Sequence, residues 1–401
     1  MINLEAPKKA GALINQAYQA AAEVFRPISR KYDRAEHSYP TELDMFAALL
    51  DGLNSSGEGG AGAAGVRRAP DSGTGNRNGA NLNVVLGTIE MCWGDVGLLL
   101  SMPRQGLGNA AIGSVATDEQ LERFKGLWAA MAITEPSCGS DSAAITTTAT
   151  VDGDDYLLNG EKIFVTSGQR ADAVVVWATL DRSKGRAAIK SFVVEKGTPG
   201  FEVVRVEHKL GIRASDTAVL RFENCRVPRE NLLGTPEIDT AKGFAGVMQT
   251  FDNTRPLVAA MAVGLARAAL DETRRILAEA GVSVDYDRPA LTQHAAAATF
   301  LQLEADYEAA YLLTLESAWM ADNRQPNSLQ ASMAKAKAGR TVVDVTLKCV
   351  ELAGVFGYTE ESLLEKWSRD AKILDIFEGT QQIQQLIVAR RVLGKSSAEL
   401  K

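Results

Sequence analysis

The sequence predicts an α+β multidomain protein with an N-terminal helical domain, a central antiparallel β-domain and a C-terminal four-helix bundle. Three observations predict it. Apolar residues recur at helical spacing before about residue 130; runs rich in Thr, Val, Ile and Phe then alternate with turn signals; after Gly243 the chain returns to long Ala- and Leu-rich helical patterns. Helices, then a small β-domain, then helices is an uncommon order that restricts the candidate folds sharply. The corresponding boundaries are 1–130, 131–236 and 237–401.

In the first part, helical periodicity covers residues 10–30, 41–53 and 81–102. Between the last two lies SSGEGGAGAAGVRRAPDSGTGNRNG, whose eight glycines make any fixed backbone conformation entropically costly. A mobile Gly-rich loop over 55–79 is expected. Thr117 opens another helix, with acidic residues in its first turn as the helix dipole favours.

In the second part, TTTATV ends at Asp152-Gly153, and YLLNGEKIFV carries Asn159-Gly160, read as a two-residue hairpin turn. ADAVVVWATL, IKSFVVEKG, FEVVRV and TAVLRFENCRVP supply further strands. In the third part, four helices are expected: FAGVMQTF through DETRRILAEA, PALTQH to SAWMADN, ASMAKAKAGR to LKCVELAG, and one through QQIQQLIVARRVLG.

The bulk properties exclude several functions. With 401 residues and 46% hydrophobic content the chain can bury a large core. Forty-three Lys and Arg against fifty Asp and Glu give a net charge of −7, with no basic run to track a phosphate backbone, so nucleic acid is not an expected partner. No segment sustains the apolar length of a membrane span and no signal-type h-region follows Met1, which predicts no membrane insertion and a cytoplasmic location. Cys92, Cys138, Cys225 and Cys349 are scattered, as are His37, His208 and His294, which argues against disulfides and against a metal site.

Four segments carry the chemistry: AITEPSCGSD (Ala132 to Asp141), KIFVTSG (Lys162 to Gly168), FDNTRPLVAA (Phe251 to Ala260) and RDAKILDIFEGTQQIQ (Arg369 to Gln384). In this order and at these separations they resemble the acyl-CoA dehydrogenase family, and the match runs from about Thr117 to Gly394.

The resemblance implies FAD-dependent α,β-dehydrogenation of an acyl-CoA thioester to the 2-enoyl-CoA. Such a site needs a carboxylate for the α-proton, an acceptor for the β-hydride that no side chain provides, and donors for the enolate-like oxygen. By resemblance Glu378 is the catalytic base, and burial beside apolar neighbours would raise its pKa towards the working range. An isolated Glu-Gly is more often a surface turn; here the surrounding motif reverses that reading.

Resemblance also implies FAD contacts from Met131, Ile133, Thr134, Ser140, Phe164, Val165, Thr166, Thr380, Gln382 and His294. Substrate contacts are implied for Ser140, Asp252, Arg255 and Glu378, with Asp252 and Arg255 near the CoA nucleotide. Each has a plainer reading. Thr380 would cap a helix, Phe164 would be a half-buried strand residue, and Asp252 with Arg255 would be a weak helical ion pair. Cys138 reads as a small filler, since no His lies near it in sequence. The acyl pocket is expected along Leu98 to Ala111 and near Phe251 and Ile376, with the glycines of SMPRQGLGN bending its wall.

Three departures from the family pattern concern contacts that serve a neighbouring subunit's flavin. AGVSVDYDRPALTQH carries Asp285 and Asp287 where the family has an Arg element; His294 is followed by Ala295 in place of Gln; and Glu351-Leu352-Ala353-Gly354-Val355-Phe356-Gly357 replaces a Gln-x-x-Gly-Gly-x-Gly element. Carboxylates near a pyrophosphate are unfavourable. Two assemblies remain open: a homotetramer in which Arg288 re-creates the contact, and an α2β2 heterotetramer with a paralogous subunit. An electron-transfer flavoprotein is the implied acceptor. The competing functions are an acyl-CoA oxidase or flavin monooxygenase on the same fold, and a non-catalytic subunit of a heteromer.

Overall fold

A computed structural model describes residues 7–55, 79–103, 107–238, 245–396 and 399, with the backbone alone at 49–55 and 245–253. The expected Gly-rich loop falls almost wholly outside the described residues.

The N-terminal part is helical, with α1 (Gly11–Ala20) running through a π-helical turn into α2 (Arg26–Arg34), then α3 (Glu42–Ser55), α4 (Ala80–Gly94), α5 (Val96–Leu99), α6 (Leu107–Val115) and α7 (Asp118–Arg123). Thr117 caps α7 in a reciprocal capping box with Gln120, as its sequence suggested. Gly108 lies against the backbone of the first strand, where a Cβ would meet Ala130 O at 2.2 Å. Its service is close helix–strand contact rather than a bend in a pocket wall.

The β-part holds β1 (Ala129–Ala132), β2 (Thr148–Asp152), β3 (Asp155–Thr166), β4 (Ala173–Thr179), β5 (Ile189–Glu195), β6 (Phe201–Val206) and β7 (Thr217–Pro228) in one seven-stranded sheet. Its path runs β1-β4-β2-β3-β7-β6, with β5 on β4. Most pairings are antiparallel as expected, but β4 pairs in parallel with both β1 and β2. The expected hairpin at Asn159-Gly160 is not there: both residues lie within β3, at a register shift against β7. The hairpin falls one turn signal earlier, where Asp152 faces Asp155 across Gly153. Packing overrides the Asn-Gly turn preference. Asn159 Oδ1 accepts Asn224 N–H at 2.8 Å, and a Cβ on Gly160 would meet Thr147 Oγ1 at 2.4 Å.

The C-terminal part contains α8 (Ala245–Glu279), α9 (Ala295–Asp322), α10 (Ser328–Ala353), α11 (Val355–Tyr358), α12 (Leu364–Leu374) and α13 (Gln381–Leu393). The four expected long helices are present; α12, which carries Arg369 to Leu374 of the fourth motif, was not anticipated as a separate helix. The two helical parts share one core. Leu82 and Ile89 of α4 pack with Val263 and Leu270 of α8, Phe300 of α9, Val342 of α10 and Trp367 of α12. A separate core lies on the sheet around Leu158, Val176, Phe192 and Leu220.

A buried ionic cluster ties these parts together. Lys366 of α12 donates to Asp95, 2.7 Å away, and to Asp370 at 2.5 Å. Asp95 also accepts from Ser29 of α2, and Asp370 accepts Ile212 N–H from the β-domain. Burial would lower the Lys366 ammonium, but Asp370 and Asp95 outweigh it and hold the group charged.

Candidate active site

The candidate residues fall into two groups. The first lies where β1 gives way to the loop Ile133–Asp141. Irregular backbone needs external partners for its N–H and C=O groups, and here one buried ion pair supplies many of them. Lys162 on β3 reaches Glu135 Oε1 at 2.8 Å and Ile133 O at 3.0 Å. The Glu135 carboxylate also accepts both the N–H and the hydroxyl of Thr146 and of Thr147, at 2.6 to 2.9 Å. Burial pushes the Glu135 carboxyl up, yet the Lys162 charge and these hydrogen bonds win and hold it at about 2.

This brace positions Met131, Ile133 and Thr134, all partly exposed, beside the end of β3, where Ile163 N–H donates to Thr134 O at 2.9 Å. A second register shift, between Lys162 and Val165, follows immediately. It turns Phe164 outward in the left-handed region at φ 56°, with 62% of its surface exposed. A bulky residue there stores strain and loses the burial expected of a strand aromatic. Val165 points into the β-core and its O accepts Gly168 N–H at 3.1 Å, while Thr166 is partly exposed. Ser140 stands exposed on the loop. Cys138 is buried within it, 4.0 Å from Glu135 Oε2, and burial raises its thiol, consistent with a filler.

The second group surrounds Glu378, between α12 and α13. Glu378 has φ 53° and Gly379 φ 90°, two successive left-handed residues. A Cβ on residue 379 would meet Gln384 Nε2 at 2.4 Å, so this turn requires glycine. Gln384 Nε2 donates to Glu378 O and Gly379 O, each at 3.2 Å, and Lys335 of α10 donates to Gly379 O at 2.8 Å. Thr254 of α8 donates to Glu378 Oε2 at 3.2 Å. The residue keeps partial contact with solvent while protein surrounds its carboxyl. Burial raises the Glu378 carboxyl above the ordinary range; the Thr254 hydroxyl and the charges of Lys335 and Arg255 only partly oppose it.

Arg255 is 4% exposed and acts on both Lys335 and Glu378. That placement supports an electrostatic effect on Glu378 in place of the nucleotide-phosphate contact expected of it. The side chain of Asp252 lies outside the described residues. Thr380 caps α13, its Oγ1 accepting Ile383 N–H at 3.3 Å, so the plainer reading accounts for it; Gln382 is exposed on the next turn. His294 is not brought to either group within this chain. It sits exposed at the start of α9, where Nδ1 accepts Ala296 N–H.

Two of the histidines, distant in sequence, do meet: His37 Nε2 lies 3.3 Å from His208 Nδ1, itself 3.0 Å from Glu36 Oε2. Lys209 and Arg170 bring positive charge to the same place, which disfavours a cation there.

Comparison with known proteins now decides the family. The acyl-CoA dehydrogenase middle domain matches residues 130–225 and the acyl-CoA dehydrogenase C-terminal domain matches 241–393. The short-chain specific acyl-CoA dehydrogenase of Clostridium acetobutylicum is 37% identical over 305 residues, 75% of this chain and 78% of its own length. The chain belongs to the acyl-CoA dehydrogenase family.

The butyryl-CoA dehydrogenase of Megasphaera elsdenii superposes with a TM-score of 0.82 at 28% identity, covering 98% of this chain and 100% of that one. A chain from a structure described as the electron transferring flavoprotein of Acidaminococcus fermentans superposes at 0.80 with 30% identity, covering 98% and 100%. The protein is therefore an oxidoreductase of acyl-CoA dehydrogenation, and the two residue groups lie on that fold. Lys335, Thr254, Gln384 and the Glu135–Lys162 pair were missed from sequence. A lysine seven residues into an alanine-rich helix carries no visible mark of burial; the available signal was Thr254 within FDNTRP.

Proposed function

We propose that this acyl-CoA dehydrogenase uses Glu378 to remove the α-proton of an acyl-CoA thioester, forming the 2-enoyl-CoA with FAD as its cofactor. The observation that carries the reading is a carboxyl raised by burial, fixed by Thr254 and set on a strained turn. A carboxylate of raised pKa is the stronger base, and such shifts suit proton abstraction near neutrality. Glu378 takes the proton on Oε1 or Oε2, and the Thr254 hydrogen bond orients the carboxylate.

The residues around β1 and β3 fit a planar polar ring. Exposed Phe164 offers an apolar face, and the braced loop offers Thr134, Thr166 and backbone groups of Met131 and Ile133. A flavin bound there supplies the two-electron acceptor that no side chain provides. Ser140, exposed on the same loop, would meet the pantetheine arm. The electrons would leave to an electron-transfer flavoprotein, in the cytoplasm.

The segment that departs from the family pattern supports assembly with another subunit. Arg288 is occupied locally, Nη2 donating to Thr292 O at 3.0 Å, while Leu291 is 99% exposed between it and His294. The assembly is a homotetramer or an α2β2 heterotetramer with a paralogous subunit, the two candidates raised by the departures of this segment from the family pattern.

The test is anaerobic titration of the flavin-loaded protein with butyryl-, octanoyl-, palmitoyl- and cyclohexanoyl-CoA, beside Glu378→Gln. Bleaching of the flavin band by at least one thioester, absent in the variant, is expected. Undiminished bleaching in Glu378→Gln would remove the base assignment. Peroxide formed stoichiometrically in air would favour an oxidase.

A further inference from the structure

We infer that Lys335 is a positioning residue for proton abstraction: its ammonium fixes the strained Glu378–Gly379 turn and brings a positive charge to bear on the Glu378 carboxylate. The inference rests on the reading of Glu378 as the base.

A lysine at 1% exposure carries a large desolvation cost, and an enzyme of this size has many ways to fill the same space with an apolar side chain. Lys335 sits well inside α10, and its Nζ donates to Gly379 O at 2.8 Å. That carbonyl belongs to the residue after Glu378. Gln384 holds the same carbonyl and that of Glu378 from α13, so two donors from two helices fix a pair of residues at φ 53° and 90°. Such a conformation persists only where the surroundings over-determine it.

The electrostatic part follows from what faces the ammonium. Glu378 and Asp375 draw it towards the charged form, and Arg255 of α8 opposes them. Burial lowers it to about 8, so most of the group remains charged at neutral pH. Its charge in turn favours the carboxylate form of Glu378, as does that of Arg255. Removing it leaves the burial of Glu378 less opposed, and the carboxyl then holds its proton to higher pH. A residue serving the turn alone would have no such effect.

The test compares pH profiles of kcat for wild type, Lys335→Met, Lys335→Gln and Lys335→Arg, all flavin-loaded, with the acyl-CoA of the panel that turns over fastest and an artificial electron acceptor. Lys335→Met is expected to move the acid limb to higher pH, its rate at pH 6 relative to pH 9 falling about tenfold below the wild-type ratio, as a one-unit displacement gives. Lys335→Gln, which keeps a shorter donor without the charge, is expected to show the same displacement and stands in if the Met variant does not fold. Lys335→Arg keeps the charge and should hold the limb near wild type. Equal loss at every pH, with the acid limb unmoved in the neutral variants, would reduce Lys335 to a structural prop and overturn the inference. Glu378→Gln in the same assay separates the two readings, since activity surviving there would sink the base assignment whatever Lys335 does.

Discussion

Charging Glu378 costs the native state free energy, because burial holds its carboxyl above the ordinary range. The sign is that of a native state binding more protons than the unfolded chain: no cost below the unfolded carboxyl range near 4.5, and the full cost above the raised native value. Two outcomes follow. Turnover should fall on its acid side at a pH above that of an ordinary carboxylate. Glu378→Gln should lose activity by about 10²–10⁴-fold, the contribution typical of a positioned base. The same variant should melt above wild type at pH 8, where the cost of charging the carboxyl is removed, and level with wild type near pH 4. Calorimetry at the two pH values checks it, and a variant equally destabilised at both would refute the account. Glu378 is singled out in sequence by IFEGT only in company with the other three segments, which together carry the resemblance. Its neighbours in space were not legible. Thr254, Gln384 and Lys335 come from three other helices, and only packing brings them to the turn.

At the scale of elements, β3 shows how a strand is bent to a purpose. Its helix-like neighbours in sequence space were easy to separate from it, because Val, Ile and Phe in YLLNGEKIFV announce a strand; its interior was misjudged. Asn159-Gly160 has the composition of a hairpin turn, but Tyr156 and Leu158 on one side and Val165 on the other bury in the same β-core, so the chain runs on and takes a bulge. The second bulge sets Phe164 in the left-handed region, where a non-glycine residue costs roughly 1–2 kcal/mol. Phe164→Gly should therefore stabilise the flavin-free protein by about 1 kcal/mol while weakening flavin retention. Dialysis against bromide, followed by the flavin absorbance left on the protein, reads the second effect, and unchanged retention would show that Phe164 faces no flavin. The brace behind the bulge behaves oppositely. Lys162→Met leaves Glu135 buried without its counter-ion, at a cost of about 3–5 kcal/mol. In wild type the stabilisation from Glu135 is present above the unfolded carboxyl range and is lost as pH falls from about 4.5 towards about 2.

For the molecule as a whole, the three-part order was legible because each part has its own period, but the sequence reading treats the helical ends as separate domains. They are one body: α4, α8, α9, α10 and α12 bury their apolar faces in a common core, and the sheet is attached beside it. Periodicity reports which face of a helix is buried and not which partner buries it. The attachment runs through Lys366, whose two carboxylate partners reach Ser29 of α2 on one side and Ile212 of the β-domain on the other. Arg369 repeats the tie near the surface, donating to Asp33 Oδ2 at 2.7 Å and to Leu210 O at 3.0 Å. Lys366→Met leaves Asp95 and Asp370 facing each other without a counter-ion, and breaking a buried group of this kind costs about 3–5 kcal/mol. Because the loss falls on the junction and spares both cores, unfolding should change in kind as well as in midpoint. Wild type should unfold with the fluorescence of buried Trp367, in the helical core, coincident with that of Trp177 on β4. The variant should separate the two, with the β-domain released first. Following each of these tryptophans in a background where the other four of the chain's five are Phe makes the comparison. Coincident transitions displaced together in Lys366→Met would mean that the sheet is held by its apolar contacts with α6 and that the buried charges only adjust stability.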